Sequence, residues 1–260
     1  MHTDEVLTML REVAEAVINP RFRALAAEEI MEKNPGDLVT VADREAELRI
    51  TEVLTAAYPD ALVLGEEATA ADPTALERFA SAEHAFTVDP VDGTKNFVRG
   101  SPDHAVMVAE LLGGEVVRSW IWQPQYEVGY VAERGAGAWR NGQRLVRPPL
   151  GEGLLGITSR RRWLGRALGT LRALELTWVC CGVDYPKLVE GAADYALYRR
   201  PKPWDHAPGS LLLTEAGGFV GDFDGSGYRP QADPPLGLVS AADRATYELV
   251  RGLVDALPGL

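Results

Sequence analysis

Cysteine is nearly missing from the chain: Cys180 and Cys181 are the only two, and adjacent residues cannot staple distant parts of a fold. That usage suits a reducing compartment and a buried, unreactive thiol pair. Long apolar runs are missing too. No stretch approaches the roughly 20 residues a membrane-spanning helix needs, and the opening MHTDEVLTMLREVAEAVINP puts acids where a signal peptide has a basic and then an apolar stretch. A cytoplasmic address without a membrane partner is expected. Cations are in deficit, 26 Lys and Arg against 38 Asp and Glu, and the net charge of -12 opposes non-specific attraction to nucleic acid polymers. The few histidines, His2, His84, His104 and His206, show no zinc spacing and are expected as surface or capping residues. Neither a Gly-x-Ser-x-Gly elbow nor a Walker loop is present.

What is there is an ordinary globular composition, 46% apolar over 260 residues, enough for one large domain or two closely packed halves. Val6, Leu10, Val13, Ala14 and Val17 repeat at helical spacing over residues 4 to 18 and stop at Pro20. Further helical pattern covers 21 to 32 and 40 to 57, the latter opened by Thr40 and Asp43, with Asn34-Pro35-Gly36-Asp37 as a turn between them. From residue 84 the texture changes to short β-rich runs, AFTVDP, HAVMVAELL, GEVVRSWIW, EVGYVAE and GAWRNGQRL, which predict a mostly antiparallel sheet. Strands near GLLGITS, LTWVCCG and ADYALYR, a helix after Trp204-Asp205 and a closing helix from about 242 to 256 form a second mixed group. The Pro-rich patches RPPLGEG and QADPPLG read as loops. The organisation is α+β and layered, divided near the first of these loops into an N-terminal half, 1–147, and a C-terminal half, 148–260.

The chemistry concentrates in TVDPVDGTKNF, residues 87 to 97. An apolar strand end delivers Asp89, Pro90 bends the chain and Asp92 follows. Two carboxylates and the Val91 carbonyl make an all-oxygen donor set of the kind Mg²⁺ prefers. Gly93 permits close backbone approach, and the amides at a following helix start can hold a phosphate. Taken alone, Asp-Pro and Asp-Gly are common turn dipeptides. Glu66-Glu67 can be a solvated pair at a strand end, Asp205 a helix N-cap, and Lys33 an exposed side chain beside a turn. The Asp222-Phe223-Asp224-Gly225-Ser226 segment reads as a hairpin turn, since no bidentate Glu completes a calcium loop.

The combination resembles the inositol monophosphatase superfamily, in order along nearly the whole chain. It runs through Lys33, Asp37-Leu38-Val39-Thr40-x-x-Asp43, Gly65-Glu66-Glu67, Asp89-Pro90-Val91-Asp92-Gly93-Thr94-x-Asn96-Phe97, Trp204-Asp205 and Thr214-Glu215-Ala216-Gly217-Gly218. The resemblance implies a layered αβαβα sandwich, a homodimer and two to three Mg²⁺ ions. Glu66, Asp89 and the Val91 carbonyl match the ligands of the tighter site, Asp89, Asp92 and Asp205 those of the second, and Glu66 with waters a weaker third. Asp43 and Thr94 match the pair that orients and helps deprotonate the attacking water. Glu67 would support Glu66, and Lys33 would belong to a mobile loop near the site. The implied reaction is Mg²⁺-dependent hydrolysis of a small phosphorylated metabolite by in-line attack of activated water, with Li⁺ sensitivity and no covalent intermediate.

A haloacid-dehalogenase phosphatase is disfavoured, because the residues two places after Asp89 and Asp92 are Val91 and Thr94 rather than acids. A non-catalytic regulatory homologue predicts loss of a metal ligand, and none of the matching positions is lost. Substrate choice is less legible. Inositol phosphatases usually carry Gly-Ser/Thr-Ala-Ala, and a Glu seven residues before the Trp-Asp aspartate; here stand Val179-Cys180-Cys181-Gly182 and Tyr198. Asp184, Tyr198 and Asp205, with Asp92, Gly93 and Thr94, are the candidate substrate contacts. Arg199, Arg200 and Lys202 form either a basic entrance or a solvated loop. Inositol monophosphate is the family-level expectation, with histidinol phosphate and bisphosphorylated nucleosides as alternatives.

Overall fold

Val6, Met9, Leu10 and Val13 give helix α1 (Thr3–Val13) a buried stripe, and a π-helical turn at Ala14–Ile18 carries the helix to the Asn19–Arg21 turn that contains Pro20. The computed structural model describes residues 1–232 and 236–259. The helix expected over 21 to 32 is not formed. Beyond a short turn at Ala27–Glu29 the chain enters strand β1 (Ile30–Asn34), which pairs antiparallel with β2 (Asp37–Thr40) around the expected Pro35-Gly36 turn. Glu28, Glu29 and Glu32 leave this segment without a continuous apolar stripe, and no residue of β1 is fully buried. Helix α2 (Val41–Ala57) starts as its signals require: Thr40 Oγ1 accepts from Ala42 N at 3.1 Å and the Asp43 carboxylate accepts from Thr40 N at 2.9 Å.

Strand β3 (Leu62–Gly65), helices α3 (Glu66–Ala71) and α4 (Ala75–Ala80), strand β4 (His84–Asp92) and helix α5 (Thr94–Val98) follow. Strands β5 (Ala105–Leu112), β6 (Glu115–Gln123), β7 (Val128–Glu133), β8 (Gly137–Arg140) and β9 (Gln143–Leu145) fall on the expected β-rich runs. Together β3 to β9 form one seven-stranded sheet in sequence order, antiparallel except for the β3–β4 pair. Alternate residues of β5 face opposite ways. Val106 and Val108 pack under α1 and α2, while Met107 and Ala109 face the other side.

The second sheet contains β10 (Gly156–Thr158), β11 (Glu175–Leu176), β12 (Tyr195–Arg199), β13 (Phe219–Asp222) and β14 (Gly237–Ala241), in the order β11-β10-β12-β14-β13. Helices α6 (Cys181–Val189) and α7 (Pro203–Glu215) fill the space between the sheets, and α8 (Arg244–Arg251), capped by Asp243, covers the outer face. The layers are therefore αβαβα. The strand expected at LTWVCCG ends at Leu176: Val179 adopts a left-handed backbone (φ 59°) and Cys180 caps α6. Asp222 to Ser226 is a turn, with Asp222 N donating to Ser226 O at 2.8 Å. Part of the loop expected at QADPPLG, residues 233–235, lies outside the described residues.

One core joins the two sheets through the middle helices, including Met107, Tyr185, Leu212 and Leu238. Arg147, on the connection between the sheets, pairs with Asp194 at 2.7 Å and donates to the carbonyls of Leu188 and Ala193. Leu212, on α7 between the sheets, is 1% exposed. Leu212→Ala should cost about 2–5 kcal/mol in denaturant unfolding; a loss below about 1 kcal/mol would mean that the middle layer packs loosely.

Candidate metal and phosphate centre

The register of β4 explains how Asp89 and Asp92 come together. In a regular strand, residues three apart point to opposite faces. Here Asp89 pairs with Met107 and Asp92 with Ala105, so two steps of β5 oppose three steps of β4, and the irregularity at Pro90-Val91 turns Asp92 onto the face of Asp89. Val91 packs under α1 and α2 on the opposite side. Asp205, in the first turn of α7, completes the group: Asp89, Asp92 and Asp205 each place a carboxylate oxygen within 4.8 Å of the others.

Like charges at this spacing repel, and burial removes the water that would screen them. Burial first, then the neighbouring carboxylates Glu66, Asp92 and Asp205, push the Asp89 carboxyl well above the usual range. Asp205 is raised by burial and by Glu66 and Asp92. Asp92 is pushed up to about 6 by burial, partly offset by Cys180 Sγ donating at 3.0 Å and by the Gly182 amide. Asp89 Oδ1 is buried without a hydrogen-bond partner among the described residues. An orphaned oxygen inside a cluster of carboxylates fits a hard cation held by oxygen ligands.

Beside the cluster, Asp43 is fixed by Thr40, whose backbone N and Oγ1 donate to Oδ2 at 2.9 and 2.6 Å. Its other oxygen lies 3.1 Å from Thr94 Oγ1, which is also 3.1 Å from the Val91 carbonyl. Burial pushes the Asp43 carboxyl up to about 7, against the lowering effect of Thr40. Gly93 stands before α5 with φ 81°, and a Cβ there would meet Asp103 O and Cys180 Cβ at 3.0 Å. The structure thus brings Asp43, Asp89, Val91, Asp92, Gly93, Thr94 and Asp205 into one locality.

Glu66 opens α3 and, with Glu67, receives Lys33 Nζ from the β1–β2 hairpin, each at 2.7 Å. Burial works to lower the Lys33 pKa, but the two carboxylates outweigh it and raise it. Lys33 is thus engaged with both acids rather than solvated. Glu67 contacts Lys33, and its carboxyl is raised by burial.

Asp184 and Tyr198, expected as substrate contacts, are buried and bonded to each other. Tyr198 Oη donates to Asp184 at 3.2 Å, and Trp178 N donates to its other oxygen at 2.7 Å. Tyr198 stacks on Tyr185, whose hydroxyl lies 3.0 Å from His206 Nδ1. His104 and His206 are also interior rather than surface residues, and burial lowers them to about 4 and about 3. Of the thiols, Cys180 is buried and Cys181 partly exposed, and burial pushes both pKa values up.

Two contributors escape sequence reading. Glu47 accepts from the amides of Glu67 and Ala68 at 2.7 Å and fixes the start of α3, and a Cβ on Gly65 would lie 2.3 Å from its Cδ. The signal was an acid within the apolar stripe Ala42, Ala46, Ile50 and Leu54. Gly182 presents its amide to Asp92, and a Cβ there would lie 2.5 Å from Ala105 Cβ. No sequence signal marked Gly182.

The family model described as "Inositol monophosphatase family" matches residues 2–257. An inositol-1-monophosphatase of Rhizobium meliloti is 35% identical over 209 residues, covering 75% of this chain and 76% of that protein. A protein of Pseudomonas aeruginosa named Nus factor SuhB is 32% identical over 220 residues, covering 76% of each chain. In fold, a Thermotoga maritima IMPase matches with a TM-score of 0.79 at 24% identity, over 98% of each chain.

Because Asp92 is raised to about 6, with Asp89 and Asp205 raised as well, protons compete with a cation for these oxygens. Apparent Mg²⁺ affinity, measured by calorimetry at constant ionic strength, should rise as pH goes from 6 to 8. A flat or falling profile would contradict the assignment of these carboxylates.

Proposed function

Since the chain belongs to the inositol monophosphatase family, we propose that it is a Mg²⁺-dependent hydrolase of small phosphate monoesters. The observation that carries this reading is the convergence of Asp89, Asp92 and Asp205 beside the hydrogen-bonded Asp43–Thr94 pair. Glu66, Asp89 and the Val91 carbonyl would hold one ion, Asp89, Asp92 and Asp205 a second, and Glu66 a weaker third. Mg²⁺ bound there supplies positive charge to the phosphoryl oxygens and acidity to water.

The chain's own groups orient the reaction. Thr94 Oγ1 takes a hydrogen bond from the attacking water and passes proton density to Asp43, whose pKa of about 7 suits a base working near neutrality. Thr40 holds Asp43 in a single orientation. Asn96 N and Phe97 N donate to Gly93 O, which leaves the Thr94 and Lys95 amides at the start of α5 to face a phosphoryl oxygen. Attack opposite the leaving alcohol yields inorganic phosphate and the free alcohol, with no covalent intermediate. Asp184 and Tyr198 act by bracing the 178–181 turn, and Glu47 and Lys33 by placing the Glu66–Glu67 end of α3.

Inositol monophosphate is the family-level substrate. One observation favours a different ester: Tyr198, at the position where inositol phosphatases carry a hydroxyl-accepting Glu, is buried and offers no carboxylate. By the same family reading the working unit is a cytoplasmic homodimer. A purely regulatory role would tolerate loss of a ligand, and the sequence keeps every residue that matches one.

Asp92→Asn should lower Mg²⁺-dependent hydrolysis of 4-nitrophenyl phosphate at least about 10³-fold while the protein stays folded by circular dichroism. Retained hydrolysis would remove Asp92 from the mechanism. Absence of Mg²⁺-dependent hydrolysis by the unmodified chain with inositol 1-phosphate, histidinol phosphate and fructose 1,6-bisphosphate would sink the phosphatase reading. Li⁺ titrated at fixed Mg²⁺ should inhibit; resistance at high Li⁺ would mean an altered second ion site.

A further inference from the structure

Asn96 on α5 gathers carbonyl oxygens from two distant parts of the chain. Its Nδ2 donates to Asp103 O at 2.8 Å and to Trp178 O at 2.9 Å, with Val179 O next at 3.5 Å. All three are acceptors, so only the NH₂ end of the side chain fits there, and its two hydrogens go to the two shorter bonds. Asp103 O also stands beside Gly93, where a Cβ would meet it at 3.0 Å. Trp178 lies in the second half of the chain, 82 residues beyond Asn96.

The turn that Asn96 grips is strained. Val179 stands at φ 59°, a left-handed backbone that β-branched residues rarely adopt. Its side chain is 43% exposed and has little packing to offset the cost. Hydrogen bonds to its backbone hold the turn instead. Asp184 accepts from Trp178 N at 2.7 Å and Thr177 Oγ1 from Val179 N at 3.1 Å, while Asn96 takes the carbonyl side. Strain of this kind persists where the surroundings over-determine the backbone, and it collects at functional sites. Here the shape is used at once: Cys180 Sγ, at 3.0 Å, and Gly182 N donate to Asp92.

These contacts close a ring. Asp92 leads through Gly93 into α5 and Asn96, Asn96 crosses to the Trp178-Val179 turn, and the turn returns to Asp92 through Cys180 and Gly182. We propose that Asn96 is a positioning residue for Asp92, acting from the first half of the chain by keeping the left-handed turn of the second half closed. Its Nδ2 is taken up by carbonyls, so it works through the turn and not on the phosphoryl group. The Thr177 and Asp184 bonds fix the amide side of the same turn, and without Asn96 the carbonyl side is free to relax toward the extended backbone that valine prefers. What Asp92 does rests on the phosphatase reading; the closure of the turn is a property of the folded chain by itself.

Cys180 reports on the turn directly, because it is buried there and Cys181 is the only other cysteine. In a Cys181→Ala background, alkylation of Cys180 by iodoacetamide is followed at one pH and below the unfolding transition, with and without Asn96→Ala, which removes the donors and adds no charge. Should Asn96→Ala melt early, Asn96→Ser, whose hydroxyl stops one bond short of the carbonyls, takes its place. The expected result is alkylation at least about tenfold faster, and calorimetric Mg²⁺ affinity of the chelator-treated protein weaker by a similar factor. Adding Val179→Gly, which relieves the left-handed strain, should return both to within about threefold of the starting protein, so that the two substitutions are strongly non-additive. Alkylation unmoved by loss of the Asn96 amide would overturn the proposal. Alkylation that speeds up and is not slowed again by Val179→Gly would overturn the coupling through the turn. If alkylation shifts and reverts as expected while the unmodified chain hydrolyses no ester under Mg²⁺, Asn96 keeps the turn and the phosphatase reading fails.

Discussion

Three carboxylates packed within 4.8 Å of one another at the edge of a buried sheet set the terms for much of this molecule. Each is raised toward the protonated form by burial and by its neighbours, so the arrangement opposes itself unless positive charge or protons are present. The surroundings hold the cluster together in spite of that cost. The irregularity in β4 turns Asp92 toward Asp89, α7 delivers Asp205 from the second half, and Gly182 and Cys180 donate to Asp92 from the start of α6. Burial between two sheets and three helical layers gives the backbone the rigidity to hold repelling groups in place.

The layers also divide the labour of the site. The first sheet and α2 carry the parts with fixed chemistry: Asp43 with its Thr40 clamp, the Asp89-to-Thr94 segment, and Glu47 holding α3. The second sheet and its loops carry what differs from inositol-specific relatives, the Cys180-Cys181-Gly182 cap and the Tyr198–Asp184 pair.

Much of this was legible in the sequence wherever the signal was local. The Thr40–Asp43 cap, the α2 periodicity and the short β-runs from 84 to 145 each became the element expected, because capping and alternation act over a few residues. The 21 to 32 segment misled because scattered apolar residues at roughly helical spacing do not make a stripe, and pairing across Pro35-Gly36 gave its last residues, Ile30 to Glu32, strand partners instead. LTWVCCG misled because Val179 turns the chain left-handed just where its β-propensity suggested continuation. Tyr198 and Asp184 were expected as substrate contacts but are buried and bonded to each other, because whether a side chain faces outward or into the core depends on the layer behind it. Glu47 and Gly182 act through contacts spanning 20 and 90 residues of chain, a range over which no motif speaks.

The central claim is that the carboxylate cluster is built for a divalent cation. Thermal unfolding of the chelator-treated protein at pH 7.5, followed as Mg²⁺ is added, tests it most directly. Binding to the native state alone should raise Tm steadily with Mg²⁺, by an amount that follows RT ln(1 + [Mg²⁺]/Kd), and Asp89→Asn should flatten the response. A Tm indifferent to Mg²⁺ in the unmodified protein would contradict the account.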